Sequence, residues 1–169
     1  MFGDPDRARL IAGTASCIGL IALGSWIAIP FFPVPLTLQT FFVLLTAAVM
    51  HRKAVVPVFL YVLLGALGLP LFHNGLAGIG VLLGPSGGYL IGFIPAALIA
   101  GFGFEYKSPA IRIPGIILAT LAIYACGIAW LIWSTGLAPV LAITVGMLPF
   151  LPGDAVKAFA AYTVAARLP

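Results

Sequence analysis

Two side chains of this 169-residue sequence are placed to do polar chemistry in apolar surroundings: Asp154 and Lys157, in the run Pro152-Gly153-Asp154-Ala155-Val156-Lys157. A carboxylate and an ammonium group three residues apart share one face of a helix. At membrane depth such groups are costly, and they face a cavity or each other. Two readings follow. Either the pair neutralises itself and only fixes helix packing, or it opens a helix whose dipole points into a site and cradles a polar ligand.

The rest of the chain says what must hold this pair. Hydrophobic residues make up 63% and charged residues 7% of the sequence, with a mean hydropathy of +1.22, which no soluble domain solvates. Apolar runs of helical length exclude a transmembrane barrel, whose strands alternate in short segments. The expected fold is an all-α integral membrane protein, a single transmembrane domain over residues 1–169. Punctuation by proline, glycine and charge gives six spans, at about 8–29, 36–50, 54–69, 84–103, 112–133 and 152–168. A short re-entrant or interfacial segment is expected at about 140–151, bounded by Pro149 and Pro152. The first apolar run is too long for a signal peptide and reads as a retained span.

Charge orients these spans. Arg7 and Arg9 precede the first, Arg52 and Lys53 lie between the second and third, Lys107 and Arg112 between the fourth and fifth, and Arg167 ends the sixth. Seven of the eight basic residues thus fall on one side, which places both termini in the cytoplasm of a multi-pass cell-membrane protein. The eighth is Lys157. Among the acids, Asp4 and Asp6 are in the tail and Glu105 is beside Lys107, so Asp154 alone remains for the opposite side.

Other polar groups gather on that side: Thr37, Gln39 and Thr40 at the start of span two, His73 and Asn74 in a glycine-rich loop, Ser86 and Tyr89 at the start of span four. Solvation of loops at the interface accounts for part of this set. An amide such as Gln39 at an apolar span start needs a partner. Gly84-Pro85-Ser86-Gly87-Gly88 lacks the Gly-Lys-Ser/Thr ending of a phosphate loop, and Gly88 with Gly92 has the spacing of close helix packing. No catalytic triad, paired carboxylate or metal cluster is visible. Cys17 and Cys126 read as packing residues. The sequence thus points to no enzyme, no metal, no cofactor and no nucleic-acid partner. In span one, Ala8, Ala12, Ala15, Gly19 and Ala22 make a small-residue stripe that allows another helix to approach, from within the chain or from a partner subunit.

Three ordered motifs, Pro33-Val34-Pro35-Leu36-Thr37-Leu38-Gln39-Thr40, Gly84-Pro85-Ser86-Gly87-Gly88-Tyr89-Leu90-Ile91-Gly92-Phe93 and Pro149-Phe150-Leu151-Pro152-Gly153-Asp154-Ala155-Val156-Lys157-Ala158, together resemble the BioY family, the biotin-specific substrate-capture (S) components of energy-coupling factor (ECF) transporters. The resemblance spans nearly the whole chain. It implies a six-helix membrane protein that captures biotin from the outside, with a transmembrane coupling subunit of the EcfT type and two cytoplasmic ATPase subunits driving uptake. It further implies Asp154 and Lys157 as ligand-binding residues, Asn74 as the nearest match to a loop amide that helps to hold the ligand, and Ala8 and Ala12 as the contact with the coupling subunit.

The residues suit such a ligand on their own terms. A ureido ring has two N–H donors and one carbonyl, so Asp154 accepts the former, Lys157 donates to the carbonyl or to the carboxylate tail, and Gln39 or Asn74 does either. Thr37, Tyr89, Gly87 and Gly88 complete the expected site, with Phe41 and Trp26 beside Tyr89 for the apolar ring. Which polar end of the ligand meets Lys157 stays open. So do three other functions: a self-sufficient secondary transporter, an S component for another small vitamin, and an intramembrane enzyme with Lys157 as nucleophile.

Overall fold

In the computed structural model, which describes residues 4–167, the chain is a bundle of helices with one two-residue hairpin. The helices are α1 (Pro5–Trp26), α2 (Gln39–Met50), α3 (Val55–Ala66), α4 (Ile79–Leu83), α5 (Gly87–Phe104), α6 (Pro109–Thr135), α7 (Pro139–Gly146) and α8 (Leu151–Ala165). The strands β1 (Ala28–Ile29) and β2 (Leu36–Thr37) pair antiparallel within the first loop. Leu168, the end of the sixth expected span, lies outside the described residues.

Local chemistry sets the helix ends. Helix α1 starts at Pro5, earlier than expected, because the Asp4 side chain caps it by accepting from the Asp6 N–H at 3.0 Å, with proline at the first position. Helix α6 begins with proline in the same way and ends at Gly136, whose φ of +70° makes the left-handed cap.

Among the described residues, four helical runs are by length and apolarity able to cross a membrane: Asp6–Trp26, Gln39–Ala66, Gly87–Phe104 and Pro109–Thr135. They become five if α7 and α8, bent by 50° at their break, form one crossing. This count does not reach the expected six, and the difference lies in the second run. Twenty-two residues of straight helix would separate Gln39 from Tyr61 by about 33 Å, yet the Gln39 amide donates to the Tyr61 hydroxyl at 2.6 Å. The chain therefore folds back at the 3-10 turn His51–Ala54, where His51 has φ +54° and ψ −138°. Helices α2 and α3 are its two arms, each of 12 residues and about 18 Å long, less than the roughly 30 Å of a bilayer core. The stretch 140–151, expected to be re-entrant or interfacial, holds most of α7 and the turn that follows it, and α7 is bent by 50° from α8.

The most extensive contact joins α5 to α6, and glycines make it close. A Cβ on Gly88 would lie 2.2 Å from Trp130 Cβ, one on Gly92 3.1 Å from the Ile123 backbone, and one on Gly103 3.2 Å from Gly115 Cα. Contact positions rise along α5 as they fall along α6, so the two helices are antiparallel. At one end of the bundle the turns before α3 and after α5 meet, where Arg52 pairs with Glu105 at 2.6 Å. The other end carries the polar pocket.

Candidate ligand-binding site

The pocket is built where α2, α5, α6 and α8 come together beneath the first loop. Asp154 lies in the first turn of α8 and is 8% exposed. Its Oδ1 accepts from the Lys157 ammonium at 2.8 Å and from the Thr40 hydroxyl at 3.0 Å. Its Oδ2 accepts from the Tyr124 hydroxyl of α6. Lys157 also donates to the Thr37 carbonyl at 2.6 Å, which ties α8 to β2. Two of its three N–H donors are thus used within the chain.

A second line of hydrogen bonds continues from there. The Thr37 hydroxyl donates to Gln39 Oε1 at 2.9 Å, Gln39 donates to Tyr61, and Tyr61 donates to the Leu71 carbonyl at 2.8 Å. Ser25 of α1 donates to the same carbonyl at 2.7 Å. Buried polar groups are satisfied throughout: among the described residues no buried side-chain nitrogen or oxygen lacks a partner. Gln39, 5% exposed, finds in Tyr61 the partner that its position in the sequence required.

Apolar side chains complete the lining: Val34, Leu90, Phe93, Ile123 and Phe150, with the ring of Tyr89. The cleft is narrow, about 50 Å³, which is room for a few waters. Pro35 and His73 line it from above and also line a shallower outer hollow with Phe31, Phe32 and Asn74. The first loop and the loop after α3 therefore meet over the pocket.

Of the residues expected at the site, the structure brings Asp154, Lys157, Gln39, Thr37 and Tyr89 to one pocket, together with Thr40, Ser86 and His73. It places five others elsewhere. Asn74 lines the outer hollow and not the pocket; its φ of +55° shows that it forms the turn of the loop. Gly87 and Gly88 serve helix packing, since a Cβ on either would strike the Leu82 backbone or Trp130. Trp26 is half exposed and donates to the Pro70 carbonyl at 3.3 Å, while Phe41 packs on Phe42; neither lines the pocket. Tyr124 and Phe150 do line it, and neither was singled out as a site residue in the sequence. For Tyr124 one signal was present: a phenol in the middle of an apolar span needs a hydrogen-bond partner.

Such a pocket presents a fixed carboxylate, an ammonium group with one N–H to spare, amide and hydroxyl groups, and an apolar wall. It suits a small molecule with N–H and carbonyl or carboxylate groups at its rim and an apolar body. The model of the BioY family matches residues 4–169. The chain belongs to the BioY family. It is 44% identical to the biotin transporter BioY of Thermotoga maritima over 151 residues, 88% of this chain and 89% of that protein. It is 38% identical to the probable biotin transporter BioY of Pyrococcus horikoshii, over 96% of this chain and 97% of that protein. The fold is shared with the crystal structure of the S-component for biotin from an ECF-type ABC transporter, with a TM-score of 0.87 over 99% of this chain and 94% of that one at 22% identity. BioY proteins are transporter components of the membrane, so this chain is a multi-pass membrane protein of a transport system and not an enzyme.

Proposed function

We propose that this chain is the biotin-capturing S component of an ECF-type uptake transporter, loading from the outer face and relying on a coupling subunit and two ATPase subunits for energy. The observation that carries the reading is the Asp154–Lys157 pair, held at 2.8 Å in a pocket otherwise lined in good part by apolar side chains. The relatives' named ligand has the matching chemistry: ureido N–H groups for Asp154, a carbonyl or carboxylate for Lys157, and a thiophane ring for the apolar wall. A cleft this narrow admits biotin only as the first loop and the loop after α3 move apart. Pro30 to Pro35 and Gly68 to Gly78 supply the irregular backbone for that movement, with Gly68, Gly75 and Gly78 all at positive φ.

Partner docking is assigned to α1. Ala8, Ala12, Ala15 and Gly19 are exposed, and a Cβ on Gly19 meets nothing within 4 Å. The stripe is therefore open along its first three turns, and Ala8 and Ala12 are the proposed contact with the coupling subunit.

Equilibrium binding of biotin to the purified protein tests the reading, with Asp154→Asn and Lys157→Ala alongside. The wild type binds biotin, and each variant loses at least about tenfold in affinity, the usual order for a hydrogen bond to a charged group. Unchanged affinity in both variants would remove the pair from the site.

A further inference from the structure

We propose that Tyr124 is a positioning residue that selects for a ligand N–H by aiming Asp154; this rests on biotin being the ligand. A carboxylate offers about four acceptor directions, two on each oxygen. Both directions of Oδ1 are taken, one by Lys157 at 2.8 Å and one by Thr40 at 3.0 Å. Oδ2 holds a single bond, from the Tyr124 hydroxyl. The one acceptor direction left for a ligand is therefore on the oxygen that Tyr124 holds. Lys157 stands on α8 with Asp154 and Thr40 on α2, so Tyr124 alone ties the carboxylate to α6. Tyr124 is 3% exposed, lines the pocket and lies within Ile123–Gly127, the stretch that packs on Gly92 and Tyr89. Its hydroxyl is thus fixed to the most tightly packed helix pair of the bundle. Without that bond, Oδ2 has no donor among the described residues, and the carboxylate plane is set by the two donors on Oδ1. An N–H of the ureido ring then meets a less directed acceptor.

A role in helix packing alone would weaken every ligand alike; a role in aiming Oδ2 weakens only ligands that present the N–H. The experiment compares biotin with biotin methylated on either ureido nitrogen, in wild type, Tyr124→Phe and a variant carrying 3-fluorotyrosine at position 124, which keeps the hydroxyl. In Tyr124→Phe, affinity for biotin is expected to fall about tenfold while affinity for the less tightly bound methylated analogue changes by less than about twofold, so that discrimination collapses; fluorotyrosine retains it. Equal weakening of both ligands, or unchanged discrimination, overturns the inference. A ligand-free measurement separates it from the functional reading: the infrared carboxylate stretch of isotope-labelled Asp154, assigned with Asp154→Asn, is expected to shift in Tyr124→Phe. An unshifted band overturns the positioning role whatever the ligand. A shifted band with no biotin binding by the wild type overturns the choice of biotin, and with it N–H selection.

Discussion

Lys157 and Asp154 keep only 16% and 9% of their side-chain surface, so each is tolerated largely because the other is there. Removing one partner of a buried pair leaves an uncompensated charge and typically costs about 3–5 kcal/mol, whereas replacing both by neutral groups is often close to neutral. Lys157→Met is therefore expected to lower the melting temperature sharply in detergent, and the double variant Asp154→Asn/Lys157→Met to recover most of that loss. Biotin binding should recover in neither. Recovery of binding in the double variant would mean that the pair is structural. The pair was legible in the sequence because topology accounts for every other basic residue, which leaves one acid and one base in the outer layer. Its third partner was not. Tyr124 is 30 residues from Asp154, and nothing in a linear pattern distinguishes a tyrosine that reaches a carboxylate from one that fills a core.

At the level of helices and loops, glycines separate what the sequence made look alike. Gly88 and Gly153 lie in motifs and Gly127 in the middle of an apolar span, and their surroundings differ. An added Cβ would fall 2.2 Å from Trp130 at position 88 and 2.3 Å from the Tyr89 ring at position 127, while at 153 nothing lies within 4 Å. Gly88→Ala and Gly127→Ala are expected to destabilise by about 1–3 kcal/mol through overpacking, and Gly153→Ala to be neutral or stabilising by up to about 1 kcal/mol, as alanine is the better helix former. Thermal unfolding of the three variants checks the order. The spacing of Gly88 and Gly92 announced the packing; that Gly88 meets Trp130 and does not line the pocket was not legible, because the face a glycine presents depends on which helix lies beside it. The loop after α3 has a pH dependence of its own. Burial holds the His73 imidazole below the ordinary histidine pKa, so protonation opposes the folded loop. Its contribution is complete above the ordinary value of about 6.5 and is lost as pH falls through the lowered folded value. Hydrogen exchange of residues 69–78 should accelerate on acidification from neutral pH beyond its intrinsic rate, and His73→Gln should remove that response. An unchanged exchange profile in the wild type would show that the loop does not depend on a neutral His73.

Across the whole molecule, two ends of opposite character face each other. The pocket end carries the Asp154–Lys157 pair, whose charges cancel. The far end gathers Arg52, Lys53, Lys107 and Arg112 around Glu105, with the Arg52 guanidinium 2.6 Å from that carboxylate and stacked 5.5 Å from the Phe102 ring. Cys17 Sγ lies 3.7 Å from Met50 Sδ, which brings the first half of α1, and so Arg7 and Arg9, to the same end. What the charges implied as alternate loops of a linear sequence is thus one surface of the fold, although α2 and α3 are too short for the uniform crossings that a hydropathy count assumed. The positive-inside rule predicts that such a surplus of positive charge stays on the cytoplasmic side, and hence that the pocket opens outward. Replacing Cys17 and Cys126 by alanine and introducing single cysteines tests this in intact cells. With a membrane-impermeant maleimide, Asn74→Cys, on the rim of the outer hollow, should label at once, while Lys107→Cys should label only after permeabilisation. The reverse pattern would invert the molecule and leave the pocket facing the cytoplasm, where it could not capture a vitamin from outside. Labelling at Asn74 that slows when biotin is added would further place the loop after α3 over the occupied site, as its hydrogen bonds to Tyr61 and Ser25 through the Leu71 carbonyl lead one to expect.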